Sequence, residues 1–224
     1  MGSCVCCRND DTDWLMNEEN GDKEGSEQRH ARRMVRKKAV VDAAIDAAQQ
    51  ERGVLLVNTG TGKGKSSAAF GVVARALGHG MKVAVVQFVK GRTDTGEEAF
   101  FRGAAVGERL RWHVTGEGFT WEIQDSRRDA AAAQAAWGIA RVYLGDASIG
   151  LVVLDEMTYA FKYGWLDLPD VLDVLAVRPP MQHVIITGRA APEALVAAAD
   201  TVTDMSMVRH AFKAGVKAMP GMEW

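Results

Sequence analysis

The stretch Thr59-Gly60-Thr61-Gly62-Lys63-Gly64-Lys65-Ser66-Ser67 decides how this chain is read. It follows the short apolar run Val54 to Val57 and opens onto a segment whose spacing predicts a helix from Ser66 to about Leu77, stopped by Gly78 and Gly80. A phosphate-binding loop places glycines where the backbone must curl around anionic oxygens, then closes on Gly-Lys-Ser or Gly-Lys-Thr at a helix N-terminus. Thr59 stands where that pattern has its first glycine, so a strict search passes the segment by. The physical demands are still met. Gly60, Gly62 and Gly64 let the chain turn its N–H groups inward, with Thr59, Thr61, Lys63 and Ser67 completing the cradle. Lys65 supplies a mobile charge, and the Ser66 hydroxyl reaches a bound cation such as Mg2+ or Mn2+. A glycine-rich turn between strand and helix is the plainer reading. The Lys-Ser ending between a buried strand and an amphipathic helix sets it aside in favour of a nucleoside triphosphate.

Working outward, apolar runs and helical spacings alternate. Val83 to Val89, Leu151 to Leu154 and His183 to Thr187 read as buried strands, and Arg109 to Val114 alternates as a further one. Arg127 to Leu144 is Ala-rich and helical, and another helix follows Pro192. Continuous apolar strands separated by helices predict an α/β domain of the P-loop NTPase type, with a mostly parallel sheet flanked by helices.

Before that domain the composition changes twice. Residues 1–27 carry Asp10, Asp11, Asp13, Glu18, Glu19, Asp22, Glu24 and Glu27 against Arg8 and Lys23, a stretch too polar to offset its ordering entropy and expected to be a disordered tail. All three cysteines, Cys4, Cys6 and Cys7, fall there, so the domain is expected to hold neither a disulfide nor a thiolate metal site. Residues 28–52 begin with Arg29, Arg32, Arg33, Arg36, Lys37 and Lys38 and read as a basic helix, in which Met34, Val41, Ile45 and Ala48 share a face and Gly53 is the stop. The domain then occupies 53–224. With 47% hydrophobic and 25% charged residues the balance is that of an ordinary globular protein, and a net charge of −2 argues against a general affinity for nucleic acid or anionic membranes. The basic run is read as a solvated helix face. Without a membrane-length apolar run or a secretory leader, the cytoplasm is the expected compartment.

Asp155 and Glu156 end the apolar run Leu151 to Leu154. Carboxylates at the carboxyl end of a parallel strand sit where such sheets bind ligands, and they are hard oxygen donors suited to Mg2+. The guanine-reading Asn-Lys-x-Asp motif is absent, which favours ATP. These residues leave open an ATPase or kinase releasing ADP, an enzyme of another kind, and a nucleotide-dependent binding protein without catalysis.

The residues beyond the loop narrow the choice. Arg75-Ala76-Leu77-Gly78-His79-Gly80, Val86-Gln87-Phe88, Gly118-Phe119-Thr120-Trp121-Glu122, Val153-Leu154-Asp155-Glu156, Ile186-Thr187-Gly188-Arg189 and His210 to Ala218 follow the loop as one ordered series. From about Glu27 to Trp224 the chain resembles the P-loop family of ATP:corrinoid adenosyltransferases, in which the first-position Thr is typical. Ala190, where a Gly is common, and Met219-Pro220, where Gln follows Lys-Ala, depart from it.

The resemblance implies that Co(I) of a corrinoid, either cobalamin or a precursor such as cobyrinic acid a,c-diamide, attacks the 5′-carbon of ATP and that triphosphate leaves. The loop then holds a leaving group, and Lys65 is the catalytic cation. Phe119 and Trp121 would act as an apolar wedge that displaces the lower axial ligand and eases reduction of Co(II). Their Gly-rich lead-in, Thr115 to Gly118, suits a mobile loop. Arg189 would contact phosphate or ribose. The resemblance further implies a homodimer, an N-terminal helix that covers the active site, and a flavoprotein reductant. His79, His113, His183 and His210 are scattered and are expected to be surface or hydrogen-bonding residues rather than catalysts.

Overall fold

The computed structural model describes residues 13–89, 95–103, 107–115 and 126–222. By their contacts they fall into two units, Met1–Gln50 and Glu51–Trp224. Among the described residues the first contains one helix, α1 (Asp13–Ala47), which starts inside the segment expected to be a tail. Burial and helix propensity are separate matters: residues 26–52 are exposed throughout, including Val35 and Ile45, as a stretch without a core of its own must be.

The second unit is built on strands β1 (Leu55–Thr59), β2 (Val83–Gln87), β3 (Leu110–Val114), β4 (Leu151–Asp155), β5 (His183–Thr187) and β6 (Thr201–Asp204). They form one sheet in the order β3-β2-β4-β5-β1-β6, and each neighbouring pair is parallel. Helices α2 (Lys65–Gly78), α3 (Gly96–Gly103), α4 (Ser126–Leu144), α5 (Thr158–Lys162), α6 (Leu168–Ala176) and α7 (Glu193–Ala198) connect them. No helix among the described residues is long and apolar enough to cross a membrane.

Strands β2 and β4 are buried along their whole length because both faces of the sheet are covered. Alternate residues serve opposite faces. Val83, Val85, Leu151 and Val153 pack with Ala69, Phe70, Val73 and Leu77 of α2, beside Phe101 and Trp112. Ala84, Val86, Val152 and Leu154 join the other cluster, with Ala133, Ala136, Trp137 and Ala140 of α4 and Val171 and Leu175 of α6. The strands and long helices expected within this unit are all present, shifted by a residue or two at their ends, whereas α1 begins 15 residues ahead of the basic helix expected over 28–52. The edge strand β6 and the helices α3, α5 and α6 have no counterpart in the sequence reading. β6 is four residues long and exposed throughout, so neither length nor an apolar run announces it.

Parallel pairing brings every strand's carboxyl end to one edge of the sheet. Thr59 lies opposite Asp204, Asn58 opposite Thr187, and Gln87 opposite both Asp155 and Val114. This is the edge at which open parallel sheets bind ligands.

Candidate active site

The loop from β1 to α2 has the shape its glycines predict. Gly60 and Gly64 take φ of 100° and 104°, a left-handed conformation that side-chain-bearing residues avoid. Gly64 caps α2, whose N-terminal dipole is directed into the loop. Two of these glycines have a second reason to be there. A β-carbon on Gly60 would lie 2.5 Å from Asp204 Oδ1, and one on Gly62 would lie 2.6 Å from the Met205 carbonyl oxygen. Gly62 N also donates to Met205 O at 2.6 Å, and Met205 N donates to Thr59 O at 2.9 Å. The chain leaving β6 is thus a floor under the loop.

Lys65 is 6% exposed; its Nζ donates to the Gly62 carbonyl, and Asn58 Nδ2 holds the Lys65 carbonyl at 3.2 Å. Burial pushes its ammonium below the ordinary lysine value, Glu156 and Asp204 push it back up, and Arg189 and Lys63 push it down. The same four charges that tune Lys65 identify its surroundings: the loop, the end of β4, the turn after β5 and the end of β6 meet here.

Asp155 is fully buried and its two oxygens are held by different strands. Thr187 Oγ1 donates to Oδ1 at 2.7 Å, and Gln87 Nε2 donates to Oδ2 at 2.8 Å. Trp112 Nε1, which can only donate, reaches Gln87 Oε1 at 3.2 Å and so fixes which end of the amide faces Asp155. Glu156 N donates to Thr187 Oγ1 at 2.9 Å, leaving the hydroxyl proton for Asp155. Glu156 takes φ of 59°, a conformation rare outside glycine.

Arg189 is exposed in the turn after β5, where Ala191 N donates to Thr59 Oγ1 at 3.1 Å. Beside Gly62 and Lys63 an open cavity of about 370 Å³ is lined also by Ser206, Val208, Arg209 and His210. Phe119 and Trp121 lie outside the described residues. Three of the histidines serve as hydrogen-bonding residues, as expected: His113 Nε2 meets Tyr143 Oη at 2.8 Å, His183 Nδ1 accepts from Val54 N, and His210 Nδ1 accepts from Phe212 N.

The structure therefore brings together Thr59, the loop through Ser67, Asp155, Glu156 and Arg189. It adds Gln87, Thr187, Asp204 and Thr158, to which the sequence reading gave no role; Thr158 Oγ1 donates to Arg189 O at 2.8 Å. Gln87 and Thr187 carried a signal: each is a polar residue closing an apolar strand at the ligand-binding edge. Asp204 carried none, because its strand is short and exposed.

A family model described as ATP:corrinoid adenosyltransferase BtuR/CobO/CobP matches residues 51–224, and one described as cob(I)alamin adenosyltransferase N terminal matches residues 16–45. The second match starts ahead of Glu27, the start of the resemblance read from the sequence, and lies within α1. A corrinoid adenosyltransferase of Pseudomonas aeruginosa is 61% identical over 198 residues, 88% of this chain and 97% of that protein. Those of Sinorhizobium sp and Escherichia coli K12 are 42% and 44% identical, covering 90% and 89% of this chain and 94% and 100% of theirs. With both its N-terminal helix and its parallel-sheet unit matched, the chain belongs to the ATP:corrinoid adenosyltransferase family.

Proposed function

We propose that this protein transfers the 5′-deoxyadenosyl group of ATP to Co(I) of a corrinoid and releases triphosphate. The carrying observation is the phosphate loop itself, complete with its buried Lys65 and its α2 N-terminus, within a chain matched to the family from residue 51 to 224. In the reaction the cobalt lone pair forms a bond to C5′, and the C5′–O bond breaks with its electron pair passing to triphosphate. The nucleophile carries no proton, so the residues need only bind, orient and stabilise charge. Lys65, the loop N–H groups and Arg189 meet the negative charge growing on the departing triphosphate. The cavity beside Gly62 and Lys63 is of a size for the nucleoside.

A divalent cation fits the donor set. Mg2+ is commonly held by one or two carboxylates together with phosphate oxygens and water, not by a full protein cage. Ser66, Asp155 and Glu156 offer such hard oxygens at the carboxyl ends of β1 and β4. Bound there, Mg2+ or Mn2+ would neutralise the triphosphate. Phe119 and Trp121 are proposed to exclude the lower axial ligand, and α1 to cover the site in a homodimer. A flavoprotein in the cytoplasm is the proposed source of electrons.

The test is to incubate the protein with ATP, Mg2+ and chemically reduced corrinoid. The proposal requires triphosphate and a light-sensitive cobalt–carbon bond in equal amounts. ADP and phosphate as products would mean an ATPase or kinase instead, and bound corrinoid with intact ATP would mean a carrier.

A further inference from the structure

The turn that carries Arg189 is fastened from three directions. Gly188 N donates to Asn58 O at 3.1 Å, Ala191 N donates to Thr59 Oγ1 at 3.1 Å, and Thr158 Oγ1 donates to Arg189 O at 2.8 Å. Thr158 is fully buried at the start of α5, and Gly188 is pressed against it: a β-carbon on Gly188 would lie 2.0 Å from Thr158 Oγ1. Ala190 is held at φ of 52°, a conformation that an alanine keeps only where its surroundings impose it. The backbone beneath Arg189 is thus over-determined while its side chain stays exposed. The charge of Arg189 acts on both Lys65 and Tyr159, lowering the pKa of each.

We propose that Thr59 and Thr158 are positioning residues whose hydroxyls hold the 188–191 turn so that Arg189 is preset toward the triphosphate. This rests on the reading of Arg189 as a phosphate contact. A long side chain on a loose turn would lose backbone as well as rotamer freedom on engaging the anion, and a fixed turn removes the first loss. The same account explains the residue at the first loop position. A glycine at 59 would leave the loop free to curl but would cut its tie to Ala191, whereas threonine keeps it.

The test uses the full chain with ATP, Mg2+ and chemically generated Co(I), reading KM for ATP, kcat, inhibition by triphosphate, and the thermal midpoint. Thr158→Val and Thr59→Val each delete one neutral hydrogen bond. Each is expected to raise KM and the triphosphate inhibition constant about three- to tenfold. Thr158→Ser, which keeps the hydroxyl, is expected to recover the affinity. In an Arg189→Ala background the Val substitutions are expected to add no further loss, because they act through that side chain. If Arg189→Ala leaves ATP and triphosphate binding unchanged, the reading of Arg189 fails and the proposal falls with it. If Arg189→Ala weakens binding while both Val variants bind normally, the positioning role alone is overturned. Losses that multiply with Arg189→Ala overturn it as well. Should Thr158→Val melt below the assay temperature, Thr59→Val decides by the same criteria.

Discussion

Thr187→Val is the perturbation that weighs the buried polar chain most directly. Valine keeps the shape and removes one oxygen that makes two bonds, to Asp155 Oδ1 at 2.7 Å and from Glu156 N at 2.9 Å. Both Thr187 and Asp155 are fully buried, so water cannot replace the lost partner. A hydrogen bond to a charged group contributes about 1.5–3 kcal/mol, and a backbone N–H left without an acceptor adds about 1 kcal/mol or more. The two losses share one atom and do not simply add, which puts the expected destabilisation at about 2–4 kcal/mol. For a chain of this size that lowers the melting midpoint by about 5–15 °C. Thr187→Ser is the control: it keeps both bonds and removes one buried methyl group, for about 1 kcal/mol. Urea unfolding at neutral pH measures both, with an unchanged m-value required for the comparison to hold. Equal midpoints for the Val and Ser variants would refute the reasoning, since they would mean that the hydroxyl contributes nothing beyond its methyl neighbour. Gln87→Met removes the other donor to the same carboxylate. Its effect is expected to be non-additive with Thr187→Val.

Lys65→Ala is expected to lower turnover at least about a hundredfold through the loss of a preorganised cation, measured as triphosphate released. Because burial depresses the Lys65 ammonium below 10.5, ATP affinity is expected to fall in alkaline solution before that value is reached, while Lys65→Arg stays charged and shows no such fall. The fold itself binds fewer protons at Lys65 than the unfolded chain, so the same group's contribution to stability rises with pH over that window; opposite trends in binding and unfolding are the signature to seek. Asp200, held down from 3.8 to about 2 by Arg52 and the Leu55 N–H, is expected to contribute stability above pH 3.8 that is lost as pH falls through about 2. Acid unfolding of Asp200→Asn is expected to lack this salt-sensitive component. Phe119→Ala and Trp121→Ala are expected to cripple the reaction from Co(II) with a mild reductant and to lose much less from supplied Co(I); equal losses with early melting would assign them to packing. Deleting residues 1–50 is expected to leave the unit from Glu51 folded, by circular dichroism, while impairing corrinoid turnover.

The sequence by itself determined the class of fold and nominated a place for the anion. Fully apolar strands can be buried only in a sheet covered on both faces, and Gly60, Gly62, Gly64 and Lys65 encode their chemistry locally, in backbone freedom and charge. It also nominated the ends of β4 and β5 as candidate sites, because Asp155 and Arg189 follow apolar runs. Tertiary structure decided the rest. A β-carbon on Gly60 or Gly62 would collide with the chain leaving β6, and the Thr59 hydroxyl, which a glycine would lack, accepts from Ala191, distant in sequence. Gln87 and Thr187 acquire their role only when parallel pairing sets two strands on either side of Asp155. Such partners obey no local periodicity. They are fixed by which strand ends become neighbours, and that is a property of the assembled sheet.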